Sequence, residues 1–250
     1  MRNSAKFNSS VFHSVIVDFI SSAFCGIGRA AFVGAVFAAA CAMCSAPARA
    51  QSVDQNNTPG QFDFYVLSLS WSPSFCAAAA DSNRYGGAQC GARPFSFVVH
   101  GLWPQYERGF PENCQDPSPR LYHGIVSSML DLMPAPRLIY NEWDKHGTCS
   151  GLSAQSYFDT IRKARAAVNI PPEYNDLKTP LTVTPSAVED AFIKANPGLT
   201  TNGIAVECSR NRMSEVRLCL SKDLKFRDCP EVAKRSCRRD QLTMPPVRGG

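Results

Sequence analysis

The segment FDFYVLSLSW, residues 62–71, marks the start of regular structure in this sequence of 250 residues. Apolar and polar residues alternate along it, and its aromatic and branched side chains favour a β-strand. A second alternating segment, PFSFVVHGLWP at 94–104, predicts another strand that ends at His100, because Gly101 permits a turn and Pro104 prevents continuation. Three later segments have the character of short antiparallel strands: GIAVECS at 203–209, MSEVRLCLS at 213–221 and LKFRDCP at 224–230.

Helical spacing occurs between these strand segments. GIVSSMLDLMP at 124–134 predicts one helix, and NEWDKHGTCS at 141–150 predicts a second. SAQSYFDTIRKARAAV at 153–168 predicts a third, with Ser153 as its N-cap. The stretch from Cys76 to Cys90 is interpreted as a loop. The sequence contains no internal repeat and no sign of a second domain.

The first 50 residues have the organisation of an export signal. The uncharged run from Ala30 to Ala48 is followed by a small-x-small site, so a signal peptide over 1–50 is predicted, with cleavage after Ala50. A retained transmembrane anchor is the alternative. Residues 51–60 are polar and predict a disordered lead-in, and 61–250 are predicted to form a single domain. We therefore expect a periplasmic or secreted protein without membrane contact once the signal is removed.

Cysteine usage agrees with an oxidising compartment. Three of the 11 cysteines lie in the predicted leader, which leaves an even set of eight. Four disulfide bonds are expected, with their pairing left open. A zinc finger is disfavoured because the set contains no C-x2-C pair. The eight positions are Cys76, Cys90, Cys114, Cys149, Cys208, Cys219, Cys229 and Cys237.

The charge of the chain is only mildly positive. The formal net charge is +5, and four basic residues and one acidic residue lie in the predicted leader, which leaves +2 for the mature chain. This excess does not by itself demand a polyanionic partner. Basic residues nevertheless cluster late in the chain, in KDLKFRDC and AKRSCRRD.

Reactive side chains are crowded into residues 141–150. One helical face would carry four of them, spaced at i, i+3, i+4 and i+7: Glu142, Lys145, His146 and Cys149. Cys149 is expected to form a disulfide rather than to act as a thiolate nucleophile. A surface ion pair between Glu142 and Lys145 is the simplest structural alternative.

Two histidines, His100 and His146, each stand directly before a glycine at the end of an apolar or aromatic segment. Two imidazoles with ordinary pKa values of about 6.5 can divide proton transfer, one as base and one as acid. Lys145 and Glu142 beside them suit a phosphate whose charge grows in the transition state. A zinc site formed by His100, Glu142 and His146 is an alternative that the Lys145 cation opposes. The third histidine of the mature chain, His123, is expected to be solvated.

Two of these segments resemble the signature segments of the ribonuclease T2 family: FVVHGLWPQ at 97–105 and NEWDKHGTC at 141–149. FDFYVLSLSWSPSFC at 62–76 resembles the first strand and cysteine of that family, and VRLCLSKDLKFRDCP at 216–230 resembles its late hairpin. The resemblance implies an α+β fold in which an antiparallel β-sheet is flanked by several α-helices and stapled by disulfides. The implied pairing is Cys76 with Cys90, Cys114 with Cys149, Cys208 with Cys237 and Cys219 with Cys229.

The resemblance also implies an activity. It is endoribonuclease cleavage of single-stranded RNA with low base specificity, through 2′,3′-cyclic phosphate products, with no metal ion and no cofactor. Matched by motif, His100, Glu142 and His146 are the catalytic residues, and Lys145 binds the phosphate and stabilises the transition state. We expect a monomer that does not cleave DNA. The competing interpretation is a catalytically inactive secreted protein that binds RNA or an anionic surface on the same scaffold.

One position departs from the family pattern. Many members have a phosphate-binding histidine where this sequence has Asn141, which donates a hydrogen bond but brings no positive charge. Trp103, Gln105 and Tyr106 are candidates for contact with a base. For Trp103 and Trp143, a place in the core is the favoured alternative.

Overall fold

The computed structural model describes residues 57–82, 87–91 and 93–247. The predicted signal peptide, and residues 51–56 of the predicted lead-in, lie outside the described residues. Residues 57–60 of that lead-in are described, and Gly60 N donates a hydrogen bond to the carbonyl oxygen of Cys149 at 2.9 Å. Gly60 and Gly151 both have positive φ, and a side chain at Gly151 would meet the Cα of Gly60 at 2.8 Å. This close backbone approach anchors the start of the described chain.

A six-stranded sheet organises the fold. Hydrogen bonding follows the order β2-β1-β5-β6-β3, and β4 also pairs with β5. All pairs are antiparallel except β5 and β6, which meet in one parallel bridge between Arg212 and Thr243. The strands are β1 (Phe64–Trp71), β2 (Phe97–Gln105), β3 (Leu181–Val183), β4 (Ile204–Ser209), β5 (Arg212–Leu220) and β6 (Leu242–Met244).

Within the described residues, six α-helices accompany the sheet. The helices are α1 (Ser72–Asp81), α2 (His123–Ser128), α3 (Pro136–Lys145), α4 (Ala154–Ala166), α5 (Pro185–Ala195) and α6 (Pro230–Ala233). Ser153 caps α4 as predicted, because its side chain accepts a hydrogen bond from Ser156 N. Short 3-10 turns lie at Gly87–Cys90, Gly147–Ser150, Pro172–Tyr174 and Thr201–Gly203. The predicted α+β class is confirmed.

Strand β1 is buried on both of its faces. Leu67 and Leu69 lie in the main core, whereas Phe64 and Val66 pack in a second cluster with the Cys219–Cys229 disulfide. On the main core side, α4 buries an aromatic and aliphatic face against β1 and β2, and each large buried apolar side chain stabilises the fold by roughly 1.5–3 kcal/mol. The main residues of that helical face are Tyr157, Phe158 and Ile161.

Three predictions about elements are wrong. Strand β2 does not end at His100 but continues to Gln105. Pro104 is tolerated because β2 is an edge strand of the sheet, where the missing N–H of proline leaves no hydrogen-bond partner unsatisfied. LKFRDCP at 224–230 is not a strand and makes a single bridge, from Phe226 to Leu220. The predicted loop from Cys76 to Cys90 contains the second half of α1.

All eight cysteines of the described chain are paired, and the pairing is the one that the family resemblance implies. The bonds are Cys76–Cys90, Cys114–Cys149, Cys208–Cys237 and Cys219–Cys229. A role for Cys149 as a thiolate nucleophile is therefore excluded. Of the helices in the described part of the chain, none combines the length and the apolar character that crossing a membrane requires.

Candidate active site

A β-bulge in β2 redirects the side chain of His100. Ser68 of β1 pairs with Gly101, and the next residue, Leu69, pairs with Val99, so His100 has no opposite residue in β1. A bulge of this kind bends the strand and turns one side chain to a new direction. The imidazole of His100 is consequently 33 % exposed, although it stands in the middle of a strand.

Glu215 fixes the orientation of that imidazole. His100 Nδ1 lies 2.5 Å from Glu215 Oε1, and because a carboxylate only accepts, Nδ1 carries the proton. The Glu215 carboxylate also accepts hydrogen bonds from Ser68 Oγ at 3.1 Å and from Arg217 Nη2 at 3.0 Å. His100 Nε2 is left to face Glu142, whose Oε1 is 3.5 Å away.

The end of α3 supplies the second histidine. His146 follows the last residue of the helix, and its backbone N–H donates to the carbonyl oxygen of Glu142 at 3.0 Å. His146 is only 7 % exposed, and its Nδ1 has no hydrogen-bond partner among the described residues. The centroid of its ring lies 5.3 Å from that of Trp103 and 6.2 Å from that of Phe110.

Trp103 connects the two histidines. Its Nε1 donates to Glu142 Oε2 at 2.7 Å, and its ring centroid is 5.3 Å from the centroid of each imidazole. The guanidinium of Arg217 lies 5.1 Å over the same ring. Trp103 is thus only partly buried and forms part of the site, so its favoured placement in the core is wrong.

The glycine after each histidine is explained by packing. A side chain at Gly101 would collide with the Glu142 carboxylate and the Trp103 indole nitrogen. A side chain at Gly147 would collide with the ring of Trp143. The His100-Gly101 and His146-Gly147 pairs therefore mark positions where a second element packs directly on the backbone beside the imidazole, whereas a side chain at Gly124, after His123, would meet nothing within 4 Å.

Both imidazoles, the Glu142 carboxylate and the Trp103 indole line one cleft of about 290 Å³. Lys145 also lines it; its side chain is about half exposed, and Nζ lies 3.3 Å from Glu112 Oε2. In the described chain Lys145 therefore pairs with Glu112 and not with Glu142, which is buried. Lys145, Arg217 and Arg235 bring three cations to the cleft.

Of the other residues that the sequence analysis considered for the site, some line the cleft and others lie outside it. Gln105 lines the cleft, whereas Tyr106 packs against the main core. Asn141 is exposed and does not line the cleft, although it directly precedes Glu142. His123 is exposed at the start of α2, as predicted. Trp143 is buried in the core and donates to the carbonyl oxygen of Pro119 at 2.7 Å, which confirms its structural interpretation.

The two histidines have opposite pKa shifts. Burial favours a lower pKa for His100, but the hydrogen bond to Glu215 and the charges of Glu215 and Glu142 raise it above the ordinary value. Burial, assisted by the positive charges of Lys145 and His100, lowers the pKa of His146 to about 3. At neutral pH His146 is therefore a neutral imidazole, and His100 holds its second proton more firmly than a free histidine does.

The two carboxyl groups also differ. Burial raises the pKa of Glu142, against the opposing effects of the His100 charge and the Trp103 hydrogen bond. Burial favours a higher pKa for Glu215 as well, but its hydrogen bond and charge interaction with His100, together with Arg217, lower it to about 2. Glu215 is therefore a permanent anion at neutral pH, and Glu142 is the group with the greater tendency to hold a proton.

The arrangement suits proton transfer around an anion. A neutral imidazole, an imidazole with a raised pKa, a buried carboxyl group and an ammonium group all line one cleft. Within the described chain, no group of three or more His, Cys, Asp or Glu side chains is placed to hold a metal ion. The geometry thus gives no support to the zinc site considered from His100, Glu142 and His146.

Sequence reasoning missed Glu215, Arg217 and Phe110. The available signal was in MSEVRLCLS, where two charged residues spaced by two in a strand share one face of an otherwise apolar segment. A buried charge needs a partner. The identity of that partner depends on the pairing of β5 with β1, which places Glu215 opposite Ser70, close to the bulge.

Comparison with known proteins places this site in a family. The model of the Ribonuclease T2 family matches residues 62–229. A ribonuclease of Aeromonas hydrophila is 42 % identical over 116 residues, which cover 46 % of this chain and 50 % of that protein. A probable ribonuclease of Haemophilus influenzae is 37 % identical over 128 residues, covering 46 % of each chain. The chain thus spans about half the length of these curated relatives.

Solved structures agree with the fold. RNase NT in complex with 5′-AMP matches with a TM-score of 0.54 and 28 % identity, covering 74 % of this chain and 98 % of that chain. An RNase-related protein from Calystegia sepium matches with a TM-score of 0.59 and 21 % identity, covering 75 % of this chain and 98 % of that one, and supports the fold alone. From the family match and its agreement with the sequence motifs, we conclude that the chain belongs to the ribonuclease T2 family.

Proposed function

We propose that the protein is an endoribonuclease that cleaves single-stranded RNA by transphosphorylation and needs no metal ion or cofactor. The observation that carries the proposal is the position of His100 and His146 on one cleft, with opposite pKa shifts. Family membership and the similarity to the ribonucleases of Aeromonas hydrophila and Haemophilus influenzae support RNA as the substrate.

His146 acts as the general base and His100 as the general acid. Neutral His146 takes the proton of a ribose 2′-hydroxyl, and the freed oxygen attacks the adjacent phosphorus. The bond from phosphorus to the 5′-oxygen breaks, and His100 gives its Nε2 proton to that departing oxygen. The products are a 2′,3′-cyclic phosphate and a free 5′-hydroxyl. Glu215 keeps the Nδ1 proton in place throughout, which holds Nε2 toward the cleft.

The remaining groups stabilise the phosphorane. Lys145 places a cation at the cleft, and Glu142, with its raised pKa, is suited to hydrogen-bond a phosphoryl oxygen as charge develops. An anionic phosphate also favours a protonated His146 and so promotes the first proton transfer. Asn141 contacts a phosphate only where the RNA extends beyond the cleft.

Low base specificity follows from the shortage of groups that read a base edge. Phe110 lines the cleft and offers a stacking surface, which accepts any base because every base has a π-face. Gln105 is the one neutral amide in the lining, and its Nε2 already donates to the carbonyl oxygen of Pro104 at 3.0 Å. We therefore expect RNA bases to be bound by stacking, with few hydrogen bonds to the base edges.

The proposal is tested with three strands of one sequence: RNA, fully 2′-O-methylated RNA and DNA. Only unmodified RNA is expected to be cut, because the attacking oxygen belongs to the substrate. Mass spectrometry is expected to find 2′,3′-cyclic phosphate ends, and EDTA is expected to leave the rate unchanged. Cleavage of the methylated strand would refute the mechanism. If RNA stays intact between pH 4 and 8, the endoribonuclease proposal is refuted and the catalytically inactive RNA-binding protein is the remaining interpretation.

We also propose that the protein works outside the cytoplasm as a monomer, after removal of residues 1–50. Four disulfides support an oxidising compartment. The N-terminal sequence of protein from the periplasm or medium tests this proposal, and the expected first residue is Gln51. A mature chain that begins before Ala50 and stays with the membrane fraction would favour the anchor.

A further inference from the structure

A second cavity lies directly behind His100. Its volume is about 310 Å³, and it is formed by α1, the end of β1 and the turn between β4 and β5. Glu215, which holds His100 Nδ1, is part of its lining. The two cavities therefore adjoin at the Glu215–His100 pair, and the second is on the side of the general acid.

The cavity contains a polar atom that no group in the described chain satisfies. Ser74, in the first turn of α1, is 5 % exposed, and its Oγ has no hydrogen-bond partner among the described residues. Among the residues that the structure describes, the only other buried side-chain nitrogen or oxygen without a partner is His146 Nδ1, which lies at the cleft of His100 and His146. Leaving a buried hydroxyl unpaired costs roughly 1–3 kcal/mol, so each cavity holds one group that favours a polar ligand.

The charge of the cavity selects an anion. Arg210 and Arg212 line it, and Arg212 Nη1 donates to Asp81 Oδ2 at 2.8 Å, whereas Arg210 Nη1 is 3.9 Å from the same oxygen. One carboxylate thus faces two guanidinium groups. Glu215 does not cancel the remaining positive charge, because it is already committed to His100 and Arg217.

An aromatic side chain completes the lining. Phe75 lines the cavity, yet the residue is 49 % exposed, one of four large apolar residues of the described chain with such exposure. An exposed aromatic ring beside cations and hydroxyls is the usual composition of a surface that tracks single-stranded nucleic acid. The ligand indicated is therefore a phosphodiester with a neighbouring base.

We propose that this cavity is a phosphate subsite for the RNA strand on the 3′ side of the cleaved bond. The proposal rests on the proposed function, because that function places the departing 5′-oxygen, and the nucleotide attached to it, at His100. The strand continues from there past Glu215 to Arg210 and Arg212. The next phosphate accepts hydrogen bonds from the guanidinium groups and from Ser74 Oγ, and Phe75 contacts the adjoining base.

The test uses strands with a single ribonucleotide in an otherwise deoxy chain, so that each has one cleavable bond. One is a dinucleotide, one is extended by two nucleotides on the 3′ side, and one is extended equally on the 5′ side. In the wild-type protein, 3′ extension is expected to raise kcat/KM by about tenfold, the contribution of one charge-assisted contact. The Arg210→Ala/Arg212→Ala variant is expected to lose that advantage, with the dinucleotide as internal reference.

Two further variants separate binding from folding. Ser74→Ala removes a buried hydroxyl without a partner, so the urea midpoint is expected not to fall, while the increase in kcat/KM that 3′ extension produces (the 3′ advantage) is expected to fall by about threefold. Arg162→Ala is the matched control, because Arg162 pairs with Asp131 as Arg212 pairs with Asp81. It is expected to keep the full 3′ advantage. An equal 3′ advantage in the wild type and the double variant would overturn the proposal.

Binding without cleavage gives an independent measurement. Fluorescence anisotropy of a labelled, fully 2′-O-methylated hexanucleotide is expected to show a salt dependence about 0.7 units less steep in the double-arginine variant, for the loss of one phosphate contact on a single strand. An unchanged slope would refute the subsite even if the protein cleaves RNA. A protein that binds this strand but leaves all three cleavable strands intact would refute the proposed function and not the subsite.

Discussion

At the scale of single residues, the two histidines differ because their surroundings differ. His100 lies against two carboxylates, whereas His146 lies among rings and near a lysine. In the proposed mechanism the pairs His100-Gly101 and His146-Gly147 thus supply an acid and a base, whereas the exposed pair His123-Gly124 supplies neither. The residues of the pair were predictable, but their individual roles depend on Glu215, which lies 115 residues from His100 along the chain.

Removal of either imidazole is the first test at this scale. His100→Ala and His146→Ala are each expected to lower kcat on RNA by on the order of 10² to 10⁴, the usual contribution of a positioned acid or base. The double variant is expected to lose less than the product of the single losses, because the two act in one proton-transfer unit. His123→Ala is the control and is expected to keep the wild-type rate, since His123 is exposed outside the cleft. A large loss there would contradict the assignment.

The pH dependence of kcat/KM follows from the two pKa shifts. Activity requires neutral His146, so it falls as pH drops through the pKa of His146, about 3. It also requires protonated His100, so it falls as pH rises through a pKa that lies above the ordinary value. We expect a plateau that begins above about pH 3 and extends beyond pH 6.5, measured from initial rates between pH 2.5 and 10 on a dinucleotide. A narrow bell centred near pH 6.5 would contradict these shifts.

Glu215→Gln tests the role of the carboxylate behind His100. Loss of its negative charge lowers the pKa of His100, so the alkaline limb of the profile is expected to move to lower pH. The rate at pH 7 is expected to fall by about 10-fold to 100-fold, as is typical when a group that orients a functional histidine is removed. Glu215→Asp should recover part of the loss.

Glu207→Gln is the matched control for that variant. Glu207 accepts a hydrogen bond from Arg217 Nη1 at 2.7 Å, much as Glu215 does, but it makes no contact with His100. The alkaline limb of the pH profile of Glu207→Gln is expected to coincide with that of the wild-type protein. A similar shift in both variants would mean that Arg217, and not Glu215, controls the titration of His100.

At the scale of elements, the bulge in β2 is the feature that creates the site. Alternation in FDFYVLSLSW and FVVHGLWPQ predicted the two strands, but nothing in either segment showed the missing partner of His100. A bulge is a property of the pairing between two strands. Helix α1 was not predicted, for a different reason. Its sequence, SPSFCAAAAD, has alanines on all sides of the helix, so no apolar stripe marks one face.

Gly101→Ala tests the packing of β2 against α3. The new methyl group would collide with the Glu142–Trp103 hydrogen bond, so the strand or the helix must shift. A misplacement of about 1 Å costs roughly 100-fold in rate, and we expect a loss of that size on RNA. Gly124→Ala is the control, because its methyl group meets nothing within 4 Å in α2 and adds helix propensity. Equal activity of the two variants would contradict the proposed packing.

At the scale of the whole molecule, the cleft is assembled from parts of the chain that lie far apart in the sequence. His100 comes from β2, Phe110 from the following loop, His146 from the end of α3 and Arg217 from β5. The sequence predicted the motif residues because they are local. It could not predict Arg217 or Phe110, because their approach to the motifs depends on sheet order and on the Cys114–Cys149 bond.

The disulfides provide the prediction at this scale. In the chain-entropy account, a bond closing a loop of 35 residues stabilises the fold by about 4 kcal/mol, and one closing 14 residues by about 3 kcal/mol. The Cys114→Ala/Cys149→Ala variant is therefore expected to lose more free energy of unfolding than Cys76→Ala/Cys90→Ala, as measured by urea denaturation.

The two double variants are expected to differ more in activity than in stability. Cys114–Cys149 ties the loop after Phe110 to the turn after His146, so its loss is expected to lower kcat/KM on a dinucleotide by at least about tenfold. Cys76–Cys90 lies outside the catalytic cleft, and its loss is expected to change that value by less than about twofold. The reverse order of activities would contradict the role given to the Cys114–Cys149 bond in holding the cleft together.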